Sequence, residues 1–270
     1  MTTITDIFQF HPNLSLWFII ENFPLILRSY RLRNLWLRFL GKSGFINTVL
    51  VELPNGLRAY VRPHKGETLL IYEIFKKKIY DYFEITNSSI VFDIGANIGI
   101  YTLNVAPKVE KVIAIEPEPS NFELLLNNVI LNNLTSKVLP LNIAIGTKDG
   151  KTKLYLDNKG GSGTHSIVLK RSSKYLNVPY YKLDTIYKNL KRKSIIDHVD
   201  LIKIDVEGAE LLVLHGAQNL LKAEHPKLII AIEHGIVQFK DIYYFIKSKE
   251  LKYKFTVLNN IVFCTPIIHS

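Results

Sequence analysis

Between Ile90 and Tyr101 the chain reads Ile-Val-Phe-Asp-Ile-Gly-Ala-Asn-Ile-Gly-Ile-Tyr, and few folds can hold those residues in that order. Ile90 to Phe92 is a short apolar run of the kind that forms a strand buried on both faces. Asp93 breaks the run where such a strand should end, and Gly95, Asn97 and Gly99 follow at alternate positions. From Ile98 onward the residues read as a helix. A strand, a glycine-bearing turn and a helix start make the ligand cradle of open α/β sheets. The glycines let backbone approach the ligand, and the helix N-terminus offers unpaired N–H groups.

The spacing narrows the ligand. A dinucleotide site would carry Gly-x-Gly-x-x-Gly around a pyrophosphate, whereas here Asp93 stands two residues before Gly95, and Asn97 separates the glycines. A carboxylate repels a pyrophosphate but attracts the α-amino group of an amino acid. The next apolar run, Val112 to Ile115, ends in Glu116. That acid falls roughly 20 residues after the glycine turn, where a ribose diol is usually gripped. Acid for an ammonium, glycine backbone and acid for a ribose together describe S-adenosylmethionine. An NAD-dependent dehydrogenase is disfavoured by Asp93 and Asn97.

Charge is spread unevenly. The block from residue 137 to 193 holds 13 Lys/Arg against 3 acids, which accounts for the whole net charge of +10. Such a block favours an anionic partner: nucleic acid, a sugar phosphate, a lipid-phosphate-linked glycan or an anionic membrane surface. It is equally compatible with a solvated lysine-rich face. A single cysteine, Cys264, excludes a disulfide framework and a multi-cysteine metal site, and points to a reducing compartment. Residues 13–40 form a basic amphipathic stretch interrupted by Glu21, Asn22 and Pro24, too broken for a membrane span. The expectation is a cytoplasmic protein without a signal peptide, with peripheral contact at the inner membrane surface as a further option.

Periodicity predicts an N-terminal extension over 1–89, comprising the amphipathic helix, a hairpin around Pro54-Asn55-Gly56 and a lead-in helix from Glu67 to Phe83. Residues 90–270 then alternate strand and helix, the signature of a mostly parallel, doubly wound α/β sheet. Its strands are expected at Ile90–Phe92, Val112–Ile115, Val138–Ile145, Asp200–Ile204 and Lys227–Ile232, with helices at Pro119–Leu131, Ala209–Leu221 and Ile242–Lys249. A basic insertion covers about 147–195, and an antiparallel hairpin around Asn259-Asn260 closes the chain.

In such sheets ligands lie beyond the carboxyl ends of the strands. Asp93, Glu116, Asn142, Asp205, Glu207, Glu233 and His234 all fall there. By position the first three strand ends hold the cofactor, and the last two face the acceptor. Methyl transfer to a hydroxyl needs alignment, exclusion of water and a proton acceptor. His234, Glu207, Asp205 and His165 are the candidates for that acceptor, and Asp205 also lines the cofactor site. With Glu233 or His234 the two acids could hold a divalent cation, although none is predicted. Purely structural roles compete: Asp205 as a helix cap, Glu207 as a partner of Lys203, His234 as a satisfied loop histidine.

Phe92-Asp-Ile-Gly-Ala-Asn-Ile-Gly, Ile115-Glu-Pro and above all Leu201-Ile-Lys-Ile-Asp-Val-Glu-Gly-Ala-Glu resemble the FkbM-type methyltransferase family. The similarity runs from about Ile90 to His234 and takes in Gly161-Ser-Gly-Thr-His and Pro179-Tyr-Tyr-Lys-Leu-Asp. It implies a Rossmann-like class I methyltransferase fold using S-adenosylmethionine and acting largely on oxygen. Asp93, Gly95, Asn97 and Gly99 would surround the methionine moiety and Glu116 would take the ribose; Asn142 joins the cofactor set by its position near the third strand end. The leading expectation is methyl transfer to a hydroxyl of a sugar, glycan, glycolipid or small metabolite. An RNA methyltransferase using the basic block, and an inactive cofactor-binding scaffold, are the alternatives. Nucleic acid is disfavoured because that block lacks the dense basic–aromatic interleaving of a stacking platform in its sequence. Oligomeric state is not legible.

Overall fold

The computed structural model describes residues 48–157, 164–170, 172–232 and 235–267. The amphipathic stretch at 13–40, the glycines of the 159–163 loop, and Glu233 and His234 lie outside the described residues. In chain order the elements are β1 (Val49–Glu52), β2 (Arg58–Val61), α1 (Glu67–Ile71), β3 (Ile90–Ile94), α2 (Ile100–Val105), β4 (Lys111–Ile115), α3 (Pro119–Leu131) and β5 (Val138–Leu141). Then follow β6 (Ala144–Ile145), β7 (Gly150–Tyr155), β8 (Tyr175–Tyr181), α4 (Leu183–Arg192), β9 (Leu201–Ile204), α5 (Glu210–His215) and α6 (Gln218–Glu224). The chain closes with β10 (Lys227–Ala231), α7 (Gly235–Ser248), β11 (Tyr253–Leu258) and β12 (Ile261–Pro266).

A seven-stranded sheet in the order β11-β12-β10-β9-β3-β4-β5 carries the fold. The run from β10 to β5 is parallel throughout, and β12 joins antiparallel to β10. Chain direction across the sheet reverses between β3 and β9, which makes their tips the switch point where such folds bind ligands. Every residue of β3 and β9 is buried, so both read as continuous apolar runs apart from Asp93 and Lys203. This is the Rossmann-like, mostly parallel sheet with a closing hairpin that the sequence predicts. Among the described residues no helix is long and apolar enough to cross a membrane.

The expected boundaries shift where side chains compete with the backbone. The strand expected over Val138–Ile145 is two strands, because Asn142 turns away to donate to the carbonyls of Glu116 and Pro117, at 2.8 and 3.2 Å. β6 beyond it joins a separate three-stranded sheet, β6-β8-β7. The helix expected over Ala209–Leu221 breaks at Gly216, where a Cβ would stand 1.9 Å from the Gly146 carbonyl oxygen. Asp184 of α4 then caps the second piece, accepting from Asn219 and Leu220 N–H at 3.1 and 2.9 Å. The lead-in helix gives way after Ile71 to a π-turn over Tyr72–Lys76 and then to turns, which carry Tyr80 into the core. Strand β3 runs on through Ile94, so Asp93 lies inside it and not at its end.

The β1–β2 hairpin is tied to α3 by two asparagines one helical turn apart. Asn128 accepts from Tyr60 N–H at 2.7 Å and donates to Tyr60 O at 3.2 Å and to Ile98 O at 2.9 Å. Asn132 does the same at Arg58, at 2.9 and 2.7 Å. The helix face thus imitates a strand edge, pairing with alternate residues of β2. Asn128 is fully buried, so replacing it strands several polar groups. Asn128→Leu should lower stability by about 2–4 kcal/mol, read from urea unfolding midpoints, given ~1–3 kcal/mol per orphaned buried group. A change below about 0.5 kcal/mol would show that the helix does not hold the hairpin this way.

Candidate active site

The glycine turn after β3 is shaped by two close approaches. Gly95 has φ +78°, and a Cβ there would stand 1.8 Å from the carbonyl oxygen of Asp205. Gly99 has φ +88°, and its Cβ would meet Leu125 Cδ1 at 2.5 Å. Between them Asn97 also takes a left-handed conformation, φ 51°, which asparagine tolerates better than most residues. The turn is anchored on β4: Gly95 and Ala96 N–H both donate to Ile115 O at 2.9 Å, and Asn97 N–H donates to Glu116 Oε2 at 2.9 Å.

Beneath the turn lies Lys203, 3% exposed in the middle of β9. Its ammonium donates to Gly95 O at 2.9 Å, pairs with Asp93 Oδ1 at 3.0 Å and stands 3.8 Å from Asp205 Oδ2. Burial alone would lower the lysine pKa, but Asp93 and then Asp205 outweigh it and leave it raised. Asp93 is fully buried, and its other oxygen accepts from Thr102 Oγ1 at 2.6 Å. Tyr80 donates to Asp205 Oδ2 at 2.9 Å, and its ring meets Tyr101 edge-on at 5.3 Å. Burial, and next the Asp205 charge, push the Tyr80 hydroxyl well above its ordinary pKa, so it stays a donor.

A cavity of about 480 Å³ opens over these strand tips. Gly95, Asn97, Glu116, Asp205, Glu207 and His165 line it, so the fold brings together six of the residues singled out from the sequence. Glu116, 6% exposed, accepts from the N–H of Asn97 and of Glu118, and burial drives its pKa up to about 7 against those donors. His165 accepts from Asp157 N–H at Nδ1, at 3.0 Å. In the neutral ring that places the proton on Nε2.

Three of the site residues expected from the sequence, Asp93, Gly99 and Asn142, do not line the cavity. Asp93 stands behind the wall, and both oxygens are committed to Thr102 and Lys203. Gly99 makes room for α3 to pack, and Asn142 braces the backbone at the β4 tip. The role of Glu207 as partner of Lys203 falls to Asp93. Glu207 instead takes φ 55° in a loop whose Val206 and Gly208 N–H groups both donate to Glu210 Oε1 at 3.1 Å. Among the described residues no group of three or more His, Cys, Asp or Glu could hold a metal ion.

Sequence reasoning passed over Tyr80 and Glu210 and gave Lys203 no more than a pairing with Glu207, although all three support the walls of the cavity. Lys203 did carry a signal: a lysine amid Leu201-Ile-Lys-Ile, in a strand buried on both faces, must have a charged partner. Tyr80 carried none, since a predicted helix placed it on no particular face.

Removing one partner of a buried ion pair leaves an uncompensated charge. Lys203→Met should cost about 3–5 kcal/mol in urea unfolding, and Lys203→Met combined with Asp93→Asn should recover a large part of it. A loss under about 1 kcal/mol in the single variant would mean that the pair does not hold the strand tips.

The profile described as the Methyltransferase FkbM domain matches residues 93–255. The methyltransferase sdnD of Sordaria araneosa is 30% identical over 199 residues, covering 63% of this chain and 75% of that protein. The hexuronic acid methyltransferase AglP of Haloferax volcanii is 26% identical over 176 residues, covering 65% and 69%. Among solved structures, the methyltransferase FkbM from Methylobacillus flagellatus shares the fold with a TM-score of 0.51 at 18% identity. That match covers 92% of this chain, which spans 60% of that longer protein. The matched profile covers more than half of the sequence, and the chain is a methyltransferase of the FkbM family.

Proposed function

We propose that the chain transfers the methyl group of S-adenosylmethionine to a hydroxyl of a sugar, a glycan, a glycolipid or a small hydroxylated metabolite. The observation that carries the cofactor reading is Glu116: a buried acid at the tip of β4, lining the cavity and bonded to the N–H of Asn97 in the glycine turn. On this reading its carboxylate accepts from a ribose diol. The Gly95–Asn97 backbone would face the methionine end. Asp93 acts through Lys203, whose ammonium fixes the Gly95 carbonyl and with it the turn. When bound, the cofactor supplies an activated methyl group on a sulfonium, open to in-line displacement by an acceptor oxygen.

The chain's own part is to position that oxygen, exclude water and take its proton. Asp205 and Glu207 border the cavity on the β9 side, opposite Glu116 on the other flank of β3. Asp205 is held by Tyr80 and faced by Lys203, which fixes its orientation. His234 stays a candidate proton acceptor, two residues beyond Ile232, which lines the cavity. The name of the Haloferax relative, a hexuronic acid methyltransferase, supports a sugar acceptor.

Calorimetry comparing S-adenosylhomocysteine with NAD tests the cofactor. The former should bind and the latter should not; the reverse would overturn the assignment. The pKa of Glu116 sits at about 7, and the ribose hydroxyls donate to its ionised form. Affinity for S-adenosylhomocysteine should therefore rise with pH between about 6 and 8, by up to about tenfold for one released proton. Glu116→Gln should weaken binding by about 1–3 kcal/mol and abolish that rise. A pH dependence that survives the substitution would place the titrating group elsewhere. For the chemistry, mass spectrometry of glycans and lipids incubated with the protein and S-adenosylmethionine should show the gain of one methylene. Asp205→Asn should cut that gain by roughly 100-fold if the carboxylate takes the proton. An undiminished gain would assign the proton to Glu207 or His234.

A further inference from the structure

In the sequence, the lysines and tyrosines of the basic block are scattered. The antiparallel register of β7 and β8 collects them. Pairing sets Lys151 opposite Pro179, Lys153 opposite Asn177 and Tyr155 opposite Tyr175. Strand side chains alternate between faces. Leu154, Val178 and Tyr180 point inward and form a small core with Ala144. The opposite face carries Lys151, Lys153, Tyr155 and Tyr175, with both lysines and Tyr175 exposed. Tyr155 and Tyr175 meet edge-to-face at 6.1 Å. Lys153 Nζ lies 4.2 Å from the centre of the Tyr175 ring, and Lys170 Nζ lies 5.7 Å from that of Tyr155. Two of the three acids of the block are engaged elsewhere: Asp149 accepts from Lys182 N–H and Thr185 Oγ1, and Asp184 caps α6.

This face adjoins the cavity. Tyr155 pairs with Ser166 through N–H···O bonds of 2.8 and 3.2 Å in the two directions, and Thr164, His165 and Ile167 on either side of Ser166 line the cavity. Ser166 Oγ donates to Glu207 O at 2.7 Å, which fastens that segment to the acceptor side of the site. We propose that the face formed by Lys151, Lys153, Tyr155, Lys170 and Tyr175 is a remote acceptor subsite for a polyanionic saccharide chain, whose terminal sugar reaches over the Tyr155–Ser166 edge into the cavity. The inference rests on the sugar-hydroxyl reading above. The chemistry selects this occupant: lysines supply adaptable point charges for acidic groups, and tyrosines offer ring edges and hydroxyls to sugar rings. Stacking of nucleic acid bases needs open ring faces, and here lysines sit over both.

The test uses the full chain and a labelled chain of six galacturonate units, with the neutral maltohexaose, a six-residue oligouridylate and phosphatidylserine vesicles alongside. The galacturonate chain should bind most tightly, with an affinity that falls as salt is raised. Lys151→Gln/Lys153→Gln/Lys170→Gln should weaken it by roughly tenfold, since each exposed charge contributes modestly. Tyr175→Ala should weaken it further while leaving the salt dependence in place. Equal affinity for maltohexaose, tighter binding of the oligouridylate or the vesicles, or an undiminished triple variant would each overturn the subsite. S-adenosylhomocysteine titrated into the same samples separates the two readings. Its retained binding beside lost galacturonate discrimination sinks the subsite alone, whereas no binding to the unaltered chain sinks the methyl-transfer reading beneath it.

Discussion

The architecture of the site turns on a buried ammonium. An unpaired charge in a strand interior is too costly to keep, so the placement of Lys203 in β9 obliges its neighbours to answer it. Asp93 on the adjacent β3 supplies the charge, the Gly95 carbonyl supplies an acceptor, and Asp205 adds a second carboxylate nearby. Those groups belong to the two strands whose tips border the switch point of the sheet. One side chain therefore fixes the glycine turn on one strand and the acidic loop on the other. Tyr80, brought in by the irregular segment after the π-turn, closes the arrangement by bonding Asp205.

The polar residues near the strand ends fall into two groups once their hydrogen bonds are followed. Glu116, Asp205 and Glu207 face the cavity. Asp93, Asn142 and Glu210 hold backbone or other side chains in place and present no surface to it. Glu210 shows the distinction well. Burial raises its pKa to about 7, a value that often marks an acid–base group, yet its carboxylate is spent on the N–H groups of Val206 and Gly208 and on the Gln238 amide. The perturbed titration there follows from bracing a loop.

Much of this was legible in the residues. Apolar runs without alternation identified the parallel strands, because a strand covered on both faces has no polar side to show. The Gly95-x-Asn97-x-Gly99 spacing located the turn that borders the cavity, and the closing hairpin was placed within a residue or two of its ends. What failed to show depended on partners distant in sequence. The break at Gly216 exists because Gly146 backbone passes against it, and the division of β5 from β6 exists because Asn142 bonds a neighbouring strand tip. The place of Asp93 behind the cavity wall was hidden for the same reason, since its lysine partner lies 110 residues further on. The gathering of lysines and tyrosines on one face of β7 and β8 likewise exists only in the register.

A crystal of the full chain soaked with S-adenosylhomocysteine decides whether the strand tips of β3, β4 and β9 form a methyl-donor cradle. The ribose hydroxyls should lie within hydrogen-bond distance of Glu116, with the amino-acid end against the Gly95–Asn97 backbone and the sulfur directed toward Asp205 and Glu207. Density for the nucleoside in any other part of the molecule, with Glu116 still bonded only to Asn97, Glu118 and Asn121, would contradict that arrangement.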